Sequence, residues 1–476
     1  MEIIDIPIEE RADLDGLRAF LNACREAADT DRRNKIASIS LAVRHIDPLA
    51  VLDSIYEPDA HHFYMENRFR QWAVAGAEAV VAGSWSGTRR FAMARQFARE
   101  TDTHVIAIGD MSLPFSGPLF FAGFTFFPET GGAAEPFPSS MVFIPQWQVA
   151  RSGNRYIAVA NALIEPEMDI EPVARRIWGA HRKFTSFSYE SPPPAPVHHI
   201  LKESEVGGEG VFRDNVARAL LRIESGAYGK IVLSRAVDLG FDNPCQPLKI
   251  LNRLREDYPS CSSFSLHHEN GASFIGATPE RLVAVRDGRF FTEAIAGSAG
   301  RGTNAAEDAR LAGGLMNSEK DLREHRHVVD SIRRRMAGLG IKAAIPPGPG
   351  LLVLPNVQHL QTSIEGDLPG DLHILDLAEA LHPTPAVGGT PREAALPDIA
   401  AWEPFPRGLF AGLTGWFDAR GNGEFAVGIR SALTRGSSAR LYAGAGIVQG
   451  SEPESEFRET SLKMEALLRC IRGAAG

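Results

Sequence analysis

The chain has 476 residues, which exceeds the usual size of a single hydrophobic core and predicts two domains or one large composite domain. Hydrophobic residues make up 44% and charged residues 23% of the sequence, as in ordinary globular proteins, and this excludes a disordered or fibrous chain. The net charge of −9, without a Lys/Arg-rich run, argues against a nucleic-acid partner.

The start of the chain and its cysteines predict a cytosolic protein with no membrane partner. Residues 1–22 carry acids where a signal peptide carries basic residues. The longest apolar stretch, PLFFAGFTFF at 118–127, is too short and too broken by Gly and Pro to span a bilayer. The four cysteines lie far apart without a CxxC pair, which indicates free thiols in a reducing compartment.

A proline-rich segment divides the chain. ESPPPAPVHH, residues 190–199, is the clearest linker, because consecutive prolines neither continue a helix nor pair in a central strand. We therefore expect an N-terminal α+β region at 1–205, which completes the fold, and a catalytic domain at 206–476. In the first region, HVIAIGDM and SSMVFIPQWQVA are predicted strands, whereas ENRFRQWAVAGAEAVV at 66–81 is a predicted helix.

The second region has cleaner elements. Helices are predicted at 212–225 and from about 319 to 336, and a strand at GKIVLSRAVDLGF, 229–241. A hairpin is predicted around 420–423, and the strand ARLYAGAGIV at 439–448 leads into an acidic helix. Many strands in hairpin order with interspersed helices predict a mostly antiparallel α+β fold.

The acidic helix, GSEPESEFRETSLKME at 450–465, holds the first candidate site. At 100° per residue Glu456, Glu459 and Lys463 share the side opposite the apolar stripe, which by itself is typical of a solvated face. Three apolar residues surround the lysine: Leu462, Ala466 and Leu467. A helix that is apolar nearly all round is buried, and its polar groups then need partners in an internal cavity.

A second helix, SEKDLREH, repeats this spacing. Asp321 and Glu324 lie three residues apart and hence on one face. Two helices that each offer such an acid pair would build an oxygen-rich site suited to Mg²⁺. The alternative is that the two acids pair in solvent with the adjacent Lys320, Arg323 and Arg326.

Two further residues are candidates for acid–base chemistry. Lys230 opens an apolar strand, and strand alternation puts Lys230, Val232 and Ser234 on one face and Arg235 on the other. Such a lysine is either a snorkelling edge residue or a buried amine that acts as a base. Glu280, in the turn-like GATPE, is either a surface acid or a protonated general acid.

Eight stretches in order, over almost all of residues 206–470, resemble the chorismate-utilising enzymes, and among them the isochorismate synthases. They are GKIVLSR, IGATPERLV, EAIAGSAGRG, SEKDLREH, NVQHLQT, LHPTPAVGGTPR, FAGLTGWFDARGNGEFAVGIRSA and AGAGIVQGSEPESEFRETSLKME. HIDPLAVL and FYMENRFRQWAVAGA also resemble the longer isochorismate synthases. The resemblance implies large, mostly antiparallel sheets packed as a sandwich core with peripheral helices.

The resemblance also implies a site. Glu324 and Glu459 would bind Mg²⁺, with Asp321 and Glu456 behind them, and the ion would hold the ring carboxylate of chorismate. Lys230 would deprotonate the water that attacks ring C2, and Glu280 would protonate the departing C4 hydroxyl, a division that the chemistry requires.

The implied substrate-binding residues surround this pair. Arg430 would clamp the enolpyruvyl carboxylate with its planar fork of donors. Lys463 and the small-residue turn Gly444-Ala445-Gly446 would lie against a carboxylate. The remaining residues would line the ring or its surroundings: Gly297, Ser298, His359, Ala386 and Phe410.

Other members of the family are alternatives. Those that aminate chorismate carry Gln in place of Lys230, and the aminodeoxychorismate relatives use a nucleophilic lysine where this chain has Ala296. Salicylate synthases, which go on to eliminate pyruvate, carry Thr and Tyr in place of Ala386 and Phe410. A non-catalytic homologue would have lost the acid, base or metal carboxylates. We therefore expect isochorismate as the product, for menaquinone or siderophore synthesis, and a monomer.

Overall fold

Strands from both halves of the chain pair with one another in the structure, which is a computed structural model. It describes residues 1–3, 14–130, 132, 135–186, 198–354 and 357–472. The helices are α1 (Leu14–Asp31), α2 (Pro48–Ser54), α3 (Arg90–Asp102), α4 (Glu171–Ser186), α5 (Val211–Glu224), α6 (Pro247–Asp257), α7 (Ala305–Met316), α8 (Glu319–Gly338), α9 (Ile374–Leu381), α10 (Arg392–Trp402) and α11 (Pro453–Arg472).

The strands follow a hairpin order. They are β1 (Glu2–Ile3), β2 (Lys35–Ala42), β3 (His62–Asn67), β4 (Trp72–Ser84), β5 (Val105–Gly109), β6 (Phe120–Phe124), β7 (Ser140–Ser152), β8 (Arg155–Ile164), β9 (Ile200–Glu205), β10 (Lys230–Phe241), β11 (Ser262–His268), β12 (Ala272–Thr278), β13 (Arg281–Arg286), β14 (Arg289–Gly300), β15 (Gly350–Val353), β16 (Val357–Asp367), β17 (Gly389–Thr390), β18 (Leu413–Phe417), β19 (Gly423–Val427), β20 (Ser431–Arg435) and β21 (Ser438–Ile447).

The mostly antiparallel α+β fold is confirmed. Within the described residues, parallel pairing is confined to β1 with β5 and β2 with β5. β3 pairs with β11 and β6 with β18, so the N-terminal region supplies strands to the sheet of the second region. The division at residue 205 stays a prediction, and most of the predicted linker at 190–199 lies outside the described residues.

The main apolar core also draws on both regions. Phe63 and Phe121 stack with ring centroids 4.4 Å apart, and the same buried cluster includes Leu266, Phe290 and Phe425. Because one buried cluster draws its side chains from both regions, each region covers apolar surface of the other. No helix in the described ranges is long and apolar enough to cross a bilayer.

Most predicted elements of the second region are present. The predicted helices correspond to α5, α8 and α11, the strands to β10 and β21, and the hairpin to β18–β19. In the first region, β5 and β7 match the predicted strands. The predicted turn at Gly444-Ala445-Gly446 is wrong, because these residues lie within β21 and pair with β10.

The predicted helix at 66–81 is also wrong, because that segment ends β3 and forms most of β4. β4 pairs with β3 along one edge and with β7 along the other, and its first six residues are all buried. A strand covered on both faces has no alternation of polar and apolar residues, so its continuous small apolar run is easily taken for a buried helix.

Gly76 tests how tightly β4 is packed. A Cβ there would lie 2.2 Å from Cε2 of Phe121 and 2.9 Å from the Pro145 side chain. We expect Gly76→Ala to lower the free energy of unfolding by about 1–3 kcal/mol, because overpacking forces neighbours to move. Gly338→Ala is the control, since nothing lies within 4 Å of its added Cβ. Urea unfolding of both variants measures the difference, and equal stabilities would contradict the packing.

Candidate active site

One cavity of about 310 Å³ brings together all of the residues that the sequence singled out for chemistry. β10, β14, β16 and β21 form its walls together with α8 and α11. The residues are Lys230, Glu280, Gly297, Ser298, Asp321, Glu324, His359, Ala386, Phe410, Arg430, Gly444, Gly446, Glu456, Glu459 and Lys463. Their shared location does not test their individual roles, which stay predictions.

Lys230 reaches the cavity from the first residue of β10. Val232 and Ser234 line the same cavity, whereas Arg235 turns away and donates to the hydroxyls of Thr460 and Ser461. This is the alternation expected of a strand. β21 makes room for the lysine by carrying Gly446, where a Cβ would lie 2.8 Å from Cε of Lys230.

The Lys230 ammonium is paired with a carboxylate on α8. Its Nζ donates to Oε1 of Glu324 at 2.7 Å, and the two side chains are 13% and 26% exposed. Burial works to raise the pKa of Glu324, but the charge and hydrogen bond of Lys230 hold it below its ordinary value. Glu324 is therefore an ionised carboxylate, the form that a metal ligand requires.

The start of α8 aims its acids into the cavity. The Ser318 hydroxyl caps the helix by accepting from the Asp321 backbone N–H at 3.2 Å. Asp321 packs beside Gly297, whose added Cβ would meet Cβ of Asp321 at 3.1 Å. The cap fixes where the first turn begins, so Asp321 and Glu324 face the cavity together.

α11 supplies the second pair of acids and a lysine. Nζ of Lys463 lies 2.6 Å from Oε1 of Glu459 and donates to the Gly444 carbonyl at 2.9 Å. Burial lowers the pKa of Lys463, whereas burial, together with the charge of Glu459, raises the pKa of Glu456. The expectation that α11 is buried nearly all round is wrong, because Leu462 is 69% exposed. The helix rests one face on the core.

Glu280 occupies the junction between β12 and β13. Removal from bulk water raises its pKa to about 7, while a hydrogen bond from the Thr384 hydroxyl at 3.3 Å and the charge of Lys230 act in the opposite direction. A carboxyl group with this pKa carries a proton for much of the time at neutral pH, which is what a general acid needs.

The remaining polar wall consists of His359, Ser298 and Arg430. The Ser298 hydroxyl and Nδ1 of His359 lie 2.8 Å apart, and burial lowers the pKa of His359 to about 4, so its imidazole is neutral. Arg430 has a positive φ of 52°, a costly backbone conformation for a residue other than glycine. Such local strain, held by the surrounding strands, is typical of functional positions.

Ala386 and Phe410 lie at the same cavity. The Phe410 ring stacks on Tyr442 with centroids 5.0 Å apart and an interplanar angle of 10°. Ala296 also lines the wall. Together with Lys230, these make up the four positions that separate the branches of the family, and all four share one space.

The acids of the cavity fit Mg²⁺. Carboxylate oxygens are the ligands that this ion prefers, and four carboxylates, those of Asp321, Glu324, Glu456 and Glu459, line this one cavity. Within the described ranges, the group with three ligand atoms inside 4.8 Å of one another lies elsewhere, at His61, His268 and Glu269. In the cavity, Glu324 and Glu459 instead contact lysine ammonium groups.

A larger cavity, of about 410 Å³, lies away from these residues. Its walls include Trp72, Phe115 and Trp416, and none of the predicted site residues lines it. Volume alone therefore does not identify the functional site. The smaller cavity is the better candidate because it gathers ionisable groups whose pKa values are displaced in opposite directions.

Comparison with known proteins agrees with this choice. The chain matches the chorismate binding enzyme family over residues 20–472. It belongs to that family. It is similar to the isochorismate synthase MenF of Bacillus subtilis (strain 168), with 32% identity over 96% of this chain and 97% of the relative. It also resembles the salicylate biosynthesis isochorismate synthase of Pseudomonas aeruginosa, with 33% identity over 96% and 94% of the two chains.

A solved structure extends the likeness to the whole fold of this chorismate binding enzyme. The menaquinone-specific isochorismate synthase MenF of Escherichia coli superposes with a TM-score of 0.77 at 26% identity, covering 96% of this chain and 100% of that one. The resemblance inferred from the sequence motifs is therefore confirmed, and the N-terminal region is included in it.

Sequence reasoning missed three residues at this site. Thr384 bonds to Glu280, and Arg407 lines the cavity while pairing with Glu403. Thr384 lies in LHPTPAVGG, a stretch that contributes to the family resemblance but does not by itself indicate a role for the threonine. Arg407 lies in the plain-looking segment FPRG, and only the distant partners brought by folding give it a role.

The displaced pKa of Glu280 makes stability depend on pH. Between its ordinary value of 4.5 and about 7, the unfolded chain releases a proton that the folded chain keeps. The free energy of unfolding therefore falls as pH rises through this range, and the loss is complete above it. Without Mg²⁺, we expect Glu280→Gln to exceed the wild type in stability at pH 8 by about 1–3 kcal/mol, with a smaller difference at pH 5.

Urea unfolding at the two pH values measures this. The exposed Glu465→Gln, on α11, is the control and should change stability little at either pH. A Glu280→Gln variant whose advantage does not grow with pH would contradict the raised pKa.

Proposed function

We propose that the chain is an isochorismate synthase, which converts chorismate to isochorismate by adding water at ring C2 and removing the C4 hydroxyl. The observation that carries this is the meeting, in one cavity, of Lys230 with a carboxyl group of pKa about 7 at Glu280 and four further acids. The two curated relatives described above are named as isochorismate synthases, which supports the same activity here.

The reaction requires a base and an acid, and Lys230 and Glu280 take these two roles. In its neutral amine form, Lys230 accepts a proton from the attacking water as the oxygen bonds to C2, and it becomes the ammonium group that donates to Glu324. The ring double bond shifts, the C4–O bond breaks, and Glu280 gives its proton to the departing hydroxyl, which leaves as water. Thr384 holds the Glu280 carboxyl by a hydrogen bond at 3.3 Å. Each proton has a donor and an acceptor within the cavity.

Charged groups bind the two carboxylates of the substrate. Arg430 offers the planar fork for the enolpyruvyl carboxylate, and Lys463 lies beside Gly444 for the other. Glu324 and Glu459 would hold Mg²⁺, with Asp321 and Glu456 behind them. When bound, the ion neutralises the ring carboxylate and orients the substrate.

Ala386 and Phe410 support release of isochorismate rather than salicylate. Neither side chain carries a hydroxyl, so neither of them can assist loss of the enolpyruvyl group. Salicylate synthase is therefore the second candidate. The choice between menaquinone and siderophore synthesis, the monomeric state and the cytosolic location stay predictions.

A product assay tests the proposal. Purified protein mixed with chorismate and Mg²⁺ should form isochorismate, resolved by chromatography, and excess EDTA should stop the reaction. Formation of salicylate and pyruvate would refute the choice of product. Absence of any EDTA-sensitive turnover would refute the enzyme itself.

Lys230→Ala tests the base. Because general base catalysis contributes about 10²- to 10⁴-fold, we expect kcat to fall by that factor while chorismate binding, measured by calorimetry, remains detectable. Lys202→Ala, an exposed lysine on β9, is the control and should retain wild-type kcat. Near-normal turnover by Lys230→Ala would remove the lysine from the mechanism.

A further inference from the structure

The outer edge of β10 has a gap beside the cavity. β17 pairs with Lys230 and Ile231, and β9 pairs with the segment from Val237 to Phe241. Among the described residues, no strand pairs with 232–236 on this edge, although the Val232 N–H donates to the Gly388 carbonyl and the Ala236 carbonyl accepts from the Val206 N–H, both at 2.9 Å. Buried backbone groups without partners are costly, so the gap has to be filled by something else.

A buried ion pair satisfies two further backbone groups in this gap. Glu403 Oε1 accepts from the Ser234 backbone N–H at 2.7 Å, and Arg407 Nη2 donates to the Val232 carbonyl at 2.8 Å. Arg407 also donates to both carboxylate oxygens of Glu403, at 2.6 and 2.7 Å. The two side chains are only 1% and 2% exposed. They satisfy the backbone of β10 as a neighbouring strand would.

Arg407 joins this strand to the loop at 384–388. Its Nη1 donates to the Val387 carbonyl at 2.8 Å. The same loop carries Thr384, whose hydroxyl bonds to Glu280, and Ala386, which lines the cavity. One guanidinium therefore links the strand that begins with Lys230 to the loop that contacts Glu280.

Stability alone does not account for such a pair. Removing two charges from water costs free energy, and apolar side chains of similar volume often stabilise a protein as well or better. What the pair provides is geometry, because a planar guanidinium held at Glu403 aims its remaining donors in fixed directions. Two of those directions lead to the Val232 carbonyl on β10 and to the Val387 carbonyl in the loop at 384–388.

We propose that Glu403 and Arg407 are positioning residues that set the spacing between Lys230 and Glu280. This inference rests on the proposed function, since it assumes that these two residues exchange protons with the substrate. A base and an acid that act in one step need a fixed separation, and a misplacement of about 1 Å costs up to about 100-fold in rate.

Arg407→Lys tests the proposal, because lysine keeps the charge but loses the fork. We expect kcat for chorismate at saturating Mg²⁺ to fall about 10- to 100-fold, while KM changes less than about threefold. Glu403→Gln keeps the shape of the carboxylate but loses the charge that holds Arg407. It should also lower kcat, by at least about threefold. If Arg407→Lys does not fold, the kcat of Glu403→Gln tests the proposal instead.

Arg255→Lys is the matched control. Arg255 is also buried and bonds to Asp47, Tyr64 and Glu66, but it does not line the cavity. It should lose thermal stability as Arg407→Lys does and keep wild-type kcat. Wild-type kcat in Arg407→Lys or, if that variant does not fold, in Glu403→Gln would overturn the proposal. Failure of the proposed function would appear separately, as a wild-type protein that does not convert chorismate.

Discussion

The ion pair between Lys230 and Glu324 is the interaction on which the site depends. It joins the first residue of β10 to the second turn of α8 across the cavity at 2.7 Å. Neither partner could lie there alone, because an unpaired buried charge is far more costly than a paired one. The pair thus holds the Lys230 side chain close to an ionised carboxylate, in a cavity that under the proposed function also has to admit a charged substrate.

The same lysine lowers the pKa values of two carboxyl groups to different degrees. Glu324 bonds to the ammonium directly, and its pKa is held down, whereas Glu280 lies farther away and its burial raises its pKa to about 7. Identical side chains thereby become an ionised ligand and a protonated acid within one cavity. The difference between the two pKa values comes from the distance to Lys230 and from solvation, and the local sequence predicts neither.

The sequence predicted what depends on regular spacing. Helical spacing placed Asp321 beside Glu324, and strand alternation put Lys230 and Arg235 on opposite faces, as the structure has them. Spacing failed for β4, whose first six residues are buried on both faces and so do not alternate, and at 444–446, where glycines that suggested a turn lie in a strand. The glycines serve close approach instead, since a Cβ at Gly444 would lie 2.8 Å from the Ser234 hydroxyl.

Contacts between distant segments could not be predicted. Arg407 meets Val232 and Val387 only because β10, the loop at 384–388 and the segment after α10 converge. No periodicity links these positions, and an arginine beside a glycine in a short loop is ordinarily a surface residue. The family resemblance identified the residues that touch the substrate but not those that support them, because the support depends on three-dimensional closure.

Charge balance explains how substrate and ion would occupy this cavity together. Apart from Glu280, His359, Tyr442 and the internally paired Arg407, the ionisable lining consists of two equal sets of opposite sign: Lys230, Lys320, Arg430 and Lys463 against Asp321, Glu324, Glu456 and Glu459. Under the proposed function, chorismate brings two carboxylates and Mg²⁺ two positive charges, so the pair adds no net charge. Either one alone would leave two charges uncompensated in a partly desolvated space, which is costly. Binding of each therefore favours binding of the other, by the same free energy in both directions.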